Sequence, residues 1–168
     1  MSTKSISTII CTAALAAATL VATPATAQAT VPHCSTSALA ASLVNLQGTA
    51  GSRIGDLRLT NISRGTCWTR GYPGVSYVGF GNGTQIGRAA TWDAGAVRTI
   101  SLAPRQHADA PVRMVDVQNY PASVCRPTAV DGLRVYVPGS RLAKFIPFHT
   151  TGCRSTDVTT IFVRPLAR

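Results

Sequence analysis

The pattern of apolar and polar residues along the chain predicts short β-strands separated by turns. Asp56 to Ile62 alternates apolar and polar residues through Leu57 and Leu59, which is typical of a half-buried strand. His107 to Val117 alternates in the same way, and Gly132 to Val137 places its apolar residues on one face. Shorter runs of the same kind are Val75–Phe80, Thr84–Ala90, Val97–Leu102, Lys144–Phe148 and Val158–Val163. About eight strands, with turn residues roughly every 8 to 12 positions, predict an all-β sandwich or barrel.

Three local features refine this prediction. Gly81-Asn82-Gly83 follows a strand and predicts a hairpin turn, because Asn and Gly tolerate positive φ. Pro111 interrupts the alternating run from His107, and a proline inside a strand predicts an edge position. Ser37 to Leu46 fits either a strand or a short helix, and its pattern does not choose between them.

The first 29 residues have the organisation of a secretory signal peptide. A short basic start, Met1–Lys4, precedes an apolar run, Ile6–Ala22, and small residues follow it. The run is shorter than the ~20 residues of a membrane span, so we expect cleavage and no membrane span afterwards. Ala25-Thr26-Ala27 and Ala27-Gln28-Ala29 are alternative cleavage motifs, and the second is preferred. We therefore predict a signal peptide at 1–29, a single β-sandwich domain at 30–168, and a secreted, extracellular protein.

The charged residues of this domain are unusual. After residue 29 all six acids are Asp, Glu is absent, and every base is one of fourteen arginines except Lys144. Because surface helices draw on Glu and Lys, this composition argues against an α-helical domain. The positive charge favours anionic partners, such as an acidic envelope polymer or an extracellular protein, with loose retention on the cell wall. The arginines are scattered and aromatic residues are few, so we expect no specific nucleic-acid binding.

Four cysteines remain once Cys11 leaves with the signal peptide: Cys34, Cys67, Cys125 and Cys153. An even number in an exported domain predicts two disulfides, and four cysteines allow three pairings that spacing alone does not decide. There is no Cys-x-x-Cys motif, so redox activity is not expected. The cysteines are too far apart for a zinc site, and we expect neither metal nor cofactor.

No residue pattern indicates a catalytic site. The chain has three histidines, His33, His107 and His149. It lacks the Gly-x-Ser-x-Gly motif that would indicate a serine hydrolase. Asp109 and Asp116 are close in sequence, but their odd spacing along a strand directs them to opposite faces. The sequence therefore predicts a protein that is not an enzyme.

Two groups of residues resemble those of a known family. The first is Leu59–Cys67 followed by Gly71–Val75, and the second is Cys125-Arg126-Pro127 leading to Gly132–Tyr136. With Phe145–Phe148 and Cys153 they resemble the domain-of-unknown-function 4232 family from Cys34 to Pro165. The resemblance implies an immunoglobulin-like antiparallel β-sandwich of about seven to nine strands. It also implies an actinobacterial secreted or envelope-associated protein with the disulfides Cys34–Cys67 and Cys125–Cys153.

The chain also departs from this family. Pro104-Arg105-Gln106 stands where members commonly carry Pro-Gly, and Thr69 replaces an apolar residue beside Trp68. Many members are lipoproteins or follow a Ser/Pro-rich linker, and the lack of both here favours free secretion. The family implies no activity.

Two functional hypotheses follow from these observations. The first is a monomeric, non-enzymatic binding or structural module of the extracellular space or cell envelope. Its ligand is unknown, and the aromatic and proline residues at strand ends or loops are contact candidates: Tyr72, Pro73, Tyr77, Tyr120 and Pro121. The alternative is a small extracellular hydrolase, or an inhibitor of one, with an unrecognised site.

Overall fold

The computed structural model describes residues 30–168, and the expected signal peptide lies outside the described residues. The described part contains eleven strands, one helical turn, α1 (Ala122–Cys125), and two short 3-10 turns, Thr36–Ala38 and Val117–Asn119. The strands are β1 (Leu39–Thr49), β2 (Ser52–Asn61), β3 (Cys67–Arg70), β4 (Gly74–Gly79), β5 (Thr84–Ile86), β6 (Thr91–Trp92), β7 (Thr99–Leu102), β8 (His107–Val115), β9 (Pro127–Tyr136), β10 (Ala143–Cys153) and β11 (Ile161–Val163).

The strands form three sheets. A five-stranded sheet has the order β1-β2-β8-β11-β6, a four-stranded sheet has the order β10-β9-β4-β5, and β3 pairs with β7. Only β11 and β6 pair in parallel among these strands. The all-β prediction is confirmed, and the immunoglobulin-like arrangement stays a prediction. There are more strands than the seven to nine expected, because β3 and β6 are too short to show an alternating pattern.

One hydrophobic core lies between the sheets. The predicted alternation of β8 is observed, with Ala108, Ala110, Val112 and Met114 buried and the residues between them more exposed. Residues of β2, β4, β7 and β9 also contribute to the core, including Leu57, Leu59, Val75, Tyr77, Ile100, Leu102, Leu133 and Val135. The contribution of all three sheets to one core explains why short strands such as β7 are held in place.

The expectation that Pro111 marks an edge strand is wrong. Strand β8 lies inside the five-stranded sheet, between β2 and β11. The backbone of Asp109 bonds to Ala167 and that of Val115 to Thr160, so odd-numbered residues of β8 direct their backbone groups toward β11. Pro111 faces the gap between the end of β11 and Ala167, where its carbonyl accepts a bond from Arg164. Its missing N–H therefore removes no bond of the β2–β8 ladder.

The turn predictions have mixed outcomes. The hairpin at residues 81–83 is confirmed, with positive φ at Gly81 and Gly83 between β4 and β5. Its return strand ends at Ile86, well before the expected Ala90, because Gly87 turns the chain at φ +68°. The ambiguous segment from Ser37 is a 3-10 turn followed by the long strand β1.

Two disulfides join the parts of this fold. Cys34 pairs with Cys67 at a Cα–Cα distance of 4.9 Å, and Cys125 pairs with Cys153 at 4.6 Å. The first bond ties the N-terminal segment to β3, and the second ties α1 to the end of β10. All four cysteines are buried. This is the connectivity that the family resemblance implies.

Candidate functional site

A groove runs between β7 and the C-terminal segment 164–168 and encloses about 520 Å³. Segment 95–98 and β7 form one wall, and the C-terminal segment forms the other. We call it the arginine groove, and its lining residues are Gly95, Ala96, Arg98, Thr99, Ile100, Ser101, Pro111, Arg164, Pro165, Leu166, Ala167 and Arg168.

Backbone hydrogen bonds hold the C-terminal wall in place. The N–H of Leu166 donates to the carbonyl of Gly71 at 2.9 Å, and Ala167 exchanges two bonds with Asp109. On the other wall, Gly95 packs closely against the ring of Pro165: a Cβ atom at Gly95 would lie 2.6 Å from Pro165 Cδ. The groove is therefore shaped by fixed backbone on its C-terminal side and by a close contact at one end.

The groove is positively charged. Arg98, Arg164 and Arg168 line it, and no acidic residue does. Within residues 30–168 the one ion pair joins Arg58 to Asp109, so neither Arg98 nor Arg164 has a carboxylate partner there. The Arg168 guanidinium donates to the side chain of Gln106. Unpaired guanidinium groups along a concave surface attract anions and can donate charge-assisted hydrogen bonds to them.

The Arg58–Asp109 pair lies beside the groove, on adjacent strands β2 and β8. Arg58 Nε and Nη2 donate to the two carboxylate oxygens at 2.9 and 2.7 Å. These hydrogen bonds hold the pKa of Asp109 below its ordinary value, although partial burial opposes the shift. Because Arg58 occupies both oxygens of Asp109, this carboxylate does not neutralise the groove arginines.

A second groove of about 410 Å³ adjoins the first on the outer face of the five-stranded sheet. It shares Pro111 and Arg164 with the arginine groove and contains both acids and bases, including Asp56, Asp93 and Arg113. The Arg113 guanidinium lies 4.0 Å from the centre of the Phe162 ring, a cation–π contact. The mixed charges make this surface a weaker attractor for anions than the arginine groove.

Two aromatic rings lie near the arginine groove. Tyr72 and Trp92 stack with centroids 4.8 Å apart, and Trp92 is 63% exposed. The Tyr72 hydroxyl donates to the carbonyl of Asp93 at 3.1 Å. Tyr72 was a predicted contact residue, whereas Trp92 was missed. Its only sequence signal is an isolated Trp in a polar segment between two strands.

The other predicted contact residues have varied environments. Tyr77 is 3% exposed and belongs to the core, where burial raises the pKa of its hydroxyl, so it is not a surface contact. Pro73 is buried, and the Tyr120 hydroxyl donates to the carbonyl of Thr159. Pro121 is exposed and precedes α1. These residues do not come together as one site.

The three histidines belong to different parts of the fold. His33 packs edge-on against Trp68, while His107 begins β8 and His149 lies in β10. Asp116 precedes the 3-10 turn at Val117, away from the Arg58–Asp109 pair on the β2–β8 ladder. Residues 30–168 contain no group of three or more His, Cys, Asp or Glu side chains placed to hold a metal ion. In the same part of the chain, no helix is long and apolar enough to cross a membrane.

A family model described as Domain of unknown function (DUF4232) matches residues 34–167. The chain belongs to this family. The match covers both disulfides, the whole core and every groove residue except Arg168, which confirms the resemblance seen in the sequence motifs. No curated protein and no solved structure matches the chain. The family description assigns no activity, so a function has to be argued from the groove itself.

Proposed function

We propose that this protein is a secreted, non-enzymatic binding module that takes an anionic ligand of the extracellular space or cell envelope in the arginine groove. The observation that carries the proposal is the charge of the groove: three arginines line it and no acid does. In a concave site lined by charges of one sign, their electric fields add, and the positive potential of the arginines raises the local concentration of anions.

The chemistry of the groove favours binding over catalysis. Its polar groups are guanidinium groups, the hydroxyls of Thr99 and Ser101, and backbone amides and carbonyls. Guanidinium groups stay protonated at neutral pH, so they orient and neutralise an anion without moving a proton. Acid–base catalysis commonly uses a carboxylate or imidazole side chain, and no side chain of the lining is either.

The proposed location rests on the disulfides and on the predicted signal peptide. Two buried disulfides suit an oxidising, extracellular-type environment. An exported basic protein of a Gram-positive bacterium would meet acidic wall polymers and acidic proteins, and both are candidate ligands of this groove.

The test compares two double variants of equal charge. Arg98→Glu with Arg164→Glu alters the groove, whereas Arg88→Glu with Arg141→Glu alters exposed loops outside it. Binding of residues 30–168 to an envelope fraction and to soluble acidic proteins is measured at low and moderate salt. We expect the groove variant to bind at least roughly tenfold more weakly than the loop variant, since it loses two charge-assisted contacts. Equal binding by the two variants would disprove a role for the groove.

A further inference from the structure

Strand β7 forms one wall of the arginine groove and has a free edge. It pairs with β3 along one side, from Cys67–Leu102 to Arg70–Thr99, and with no other strand of residues 30–168. Its burial alternates, with Ile100 and Leu102 in the core and Thr99 and Ser101 exposed. The second side of β7 therefore faces the groove rather than another strand.

The backbone groups on that free edge are those of Thr99 and Ser101. Trp68 of β3 bonds through its N–H and carbonyl to residues 32 and 34, on the side away from β7. Antiparallel strands alternate between bonded and non-bonded pairs, so Thr69 and Cys67 carry the bonds to β7, through Ile100 and Leu102. Thr99 and Ser101 consequently direct their N–H and carbonyl groups into the groove. No loop or side-chain hydrogen bond in the described chain reaches them.

We infer that the arginine groove binds an extended acidic polypeptide segment, which adds as a strand to the free edge of β7. This inference rests on the proposed binding function and assigns the class of its ligand. Strand addition uses backbone hydrogen bonds for affinity and alternate side chains for specificity. Here the backbone bonds come from Thr99 and Ser101, and the arginines select acidic side chains.

The pattern of donors and acceptors favours a polypeptide over a phosphate polymer. The free edge presents both N–H donors and carbonyl acceptors, and a peptide backbone supplies the complement of both. Phosphate groups of a polymer accept hydrogen bonds but do not donate them, so the carbonyls of Thr99 and Ser101 would be desolvated without a partner. Leaving a buried carbonyl without a hydrogen-bond donor is unfavourable, which disfavours the polymer at this edge.

The same charges disfavour a second copy of this chain as the occupant. Pairing β7 with β7 of another molecule would bring Arg98 of each copy close to the other's groove arginines. Like charges at a strand edge oppose edge-to-edge association. An acidic segment avoids this repulsion, because its carboxylates face Arg98, Arg164 and Arg168.

The experiment uses defined peptides and residues 30–168. Strand β7 has four residues, about 14 Å in length, so a peptide of roughly eight residues covers it. The probe is a fluorescein-labelled peptide of alternating Glu and Val, measured by fluorescence anisotropy. Two further versions carry N-methyl groups on all Glu nitrogens or on all Val nitrogens, and inorganic polyphosphate is the competing anion.

Methylation distinguishes strand addition from simple charge attraction. Alternate residues of a strand direct their N–H groups to opposite edges, and only one edge can bond to β7. We expect one methylated version to bind roughly tenfold more weakly, as losing one or two backbone hydrogen bonds implies, while the other keeps its affinity. Equal affinities of the two methylated versions, or no saturable binding of the unmethylated peptide, would overturn the inference.

Ser101→Pro tests the same edge from the protein side. The Ser101 N–H faces the groove and not β3, so proline there leaves the β3–β7 bonds intact. We expect Ser101→Pro to weaken peptide binding roughly tenfold, by the same loss of backbone bonds, and Ser101→Ala, which keeps the N–H and removes only the hydroxyl, to weaken it less. If Ser101→Pro does not fold, the methylated peptides alone decide the question.

The outcomes separate this inference from the proposed function. If polyphosphate and all peptides bind, and only Arg98→Glu with Arg164→Glu weakens them, the groove is an anion site without strand addition and the inference is wrong. If that variant binds every anion as well as Arg88→Glu with Arg141→Glu does, the proposed function is wrong too.

Discussion

The side-chain amide of Asn61 donates a hydrogen bond of 2.8 Å to the backbone carbonyl of Leu102, which ties β2 to β7. The same amide donates to the carbonyl of Gly65 at 2.8 Å. Its oxygen accepts from the N–H and the hydroxyl of Ser63, at 2.9 and 2.7 Å. Asn61 is fully buried, and these four bonds use its whole hydrogen-bonding capacity. The family motif from Leu59 to Cys67 therefore has a structural role: the hydrogen bonds of Asn61 fix the loop after β2 and attach β2 to β7.

Replacing Asn61 with Ala should lower the free energy of unfolding by about 3 kcal/mol, because one buried and three partly buried hydrogen bonds are lost. Urea unfolding followed by circular dichroism measures the loss. The matched control is Asn82→Ala, since Asn82 accepts the same two bonds from Thr84 but lies in an exposed turn. We expect the control to cost under about 1 kcal/mol. If both substitutions lower the free energy of unfolding by a similar amount, the buried hydrogen bonds of Asn61 do not have this structural role.

Each disulfide should contribute substantially to stability. Cys34–Cys67 and Cys125–Cys153 span 33 and 28 residues of sequence. Closing loops of this length stabilises a fold by about 3–4 kcal/mol through the lost entropy of the unfolded chain. We expect the double variant Cys125→Ala with Cys153→Ala to lose about this amount in urea unfolding. We expect Cys34→Ala with Cys67→Ala to lose more, because these residues belong to the hydrophobic core cluster.

Mass spectrometry after alkylation provides the check on connectivity. The oxidised protein should show no alkylated cysteine, and proteolysis should yield the two linked peptides. A free thiol at Cys67, or a melting temperature that reducing agent leaves unchanged, would refute this disulfide arrangement.

The Arg58–Asp109 pair should make stability depend on pH in the acidic range. The pKa of Asp109 is lowered in the folded protein, so its carboxylate stabilises the fold at pH values above its unfolded pKa of about 3.9. That contribution is lost as the pH falls through the lower, folded pKa. The difference in unfolding free energy between the unsubstituted protein and Asp109→Asn should therefore be largest above about pH 4 and shrink below it.

Urea titrations between neutral and strongly acidic pH measure this difference. Asp93→Asn is the control, since Asp93 has no ion-pair partner within residues 30–168. A difference for Asp109→Asn that stays constant down to the lowest pH would show that the carboxylate does not stabilise the fold through its charge.

Much of the fold could be predicted because a strand with one buried face has alternating apolar and polar residues in its sequence. The runs at β2, β8 and β9 were predicted for this reason, and Gly81-Asn82-Gly83 marked the hairpin. Strands β3 and β6 were missed because runs of two to four residues are too short to alternate detectably. The edge position predicted from Pro111 was wrong because an inner strand tolerates a proline that faces a gap in the neighbouring segment. The position of that gap depends on the tertiary structure.

The sequence by itself determined a basic all-β domain with an even set of cysteines and a family motif, since composition, periodicity and spacing are local properties. Only the tertiary structure decided which residues form a site. Arg98 is distant in sequence from Arg164 and Arg168, and they line one groove because the C-terminal segment bonds to Asp109 and Gly71 beside β7. The free edge of β7 is likewise invisible in the sequence, because an edge is defined by the strand that is missing next to it.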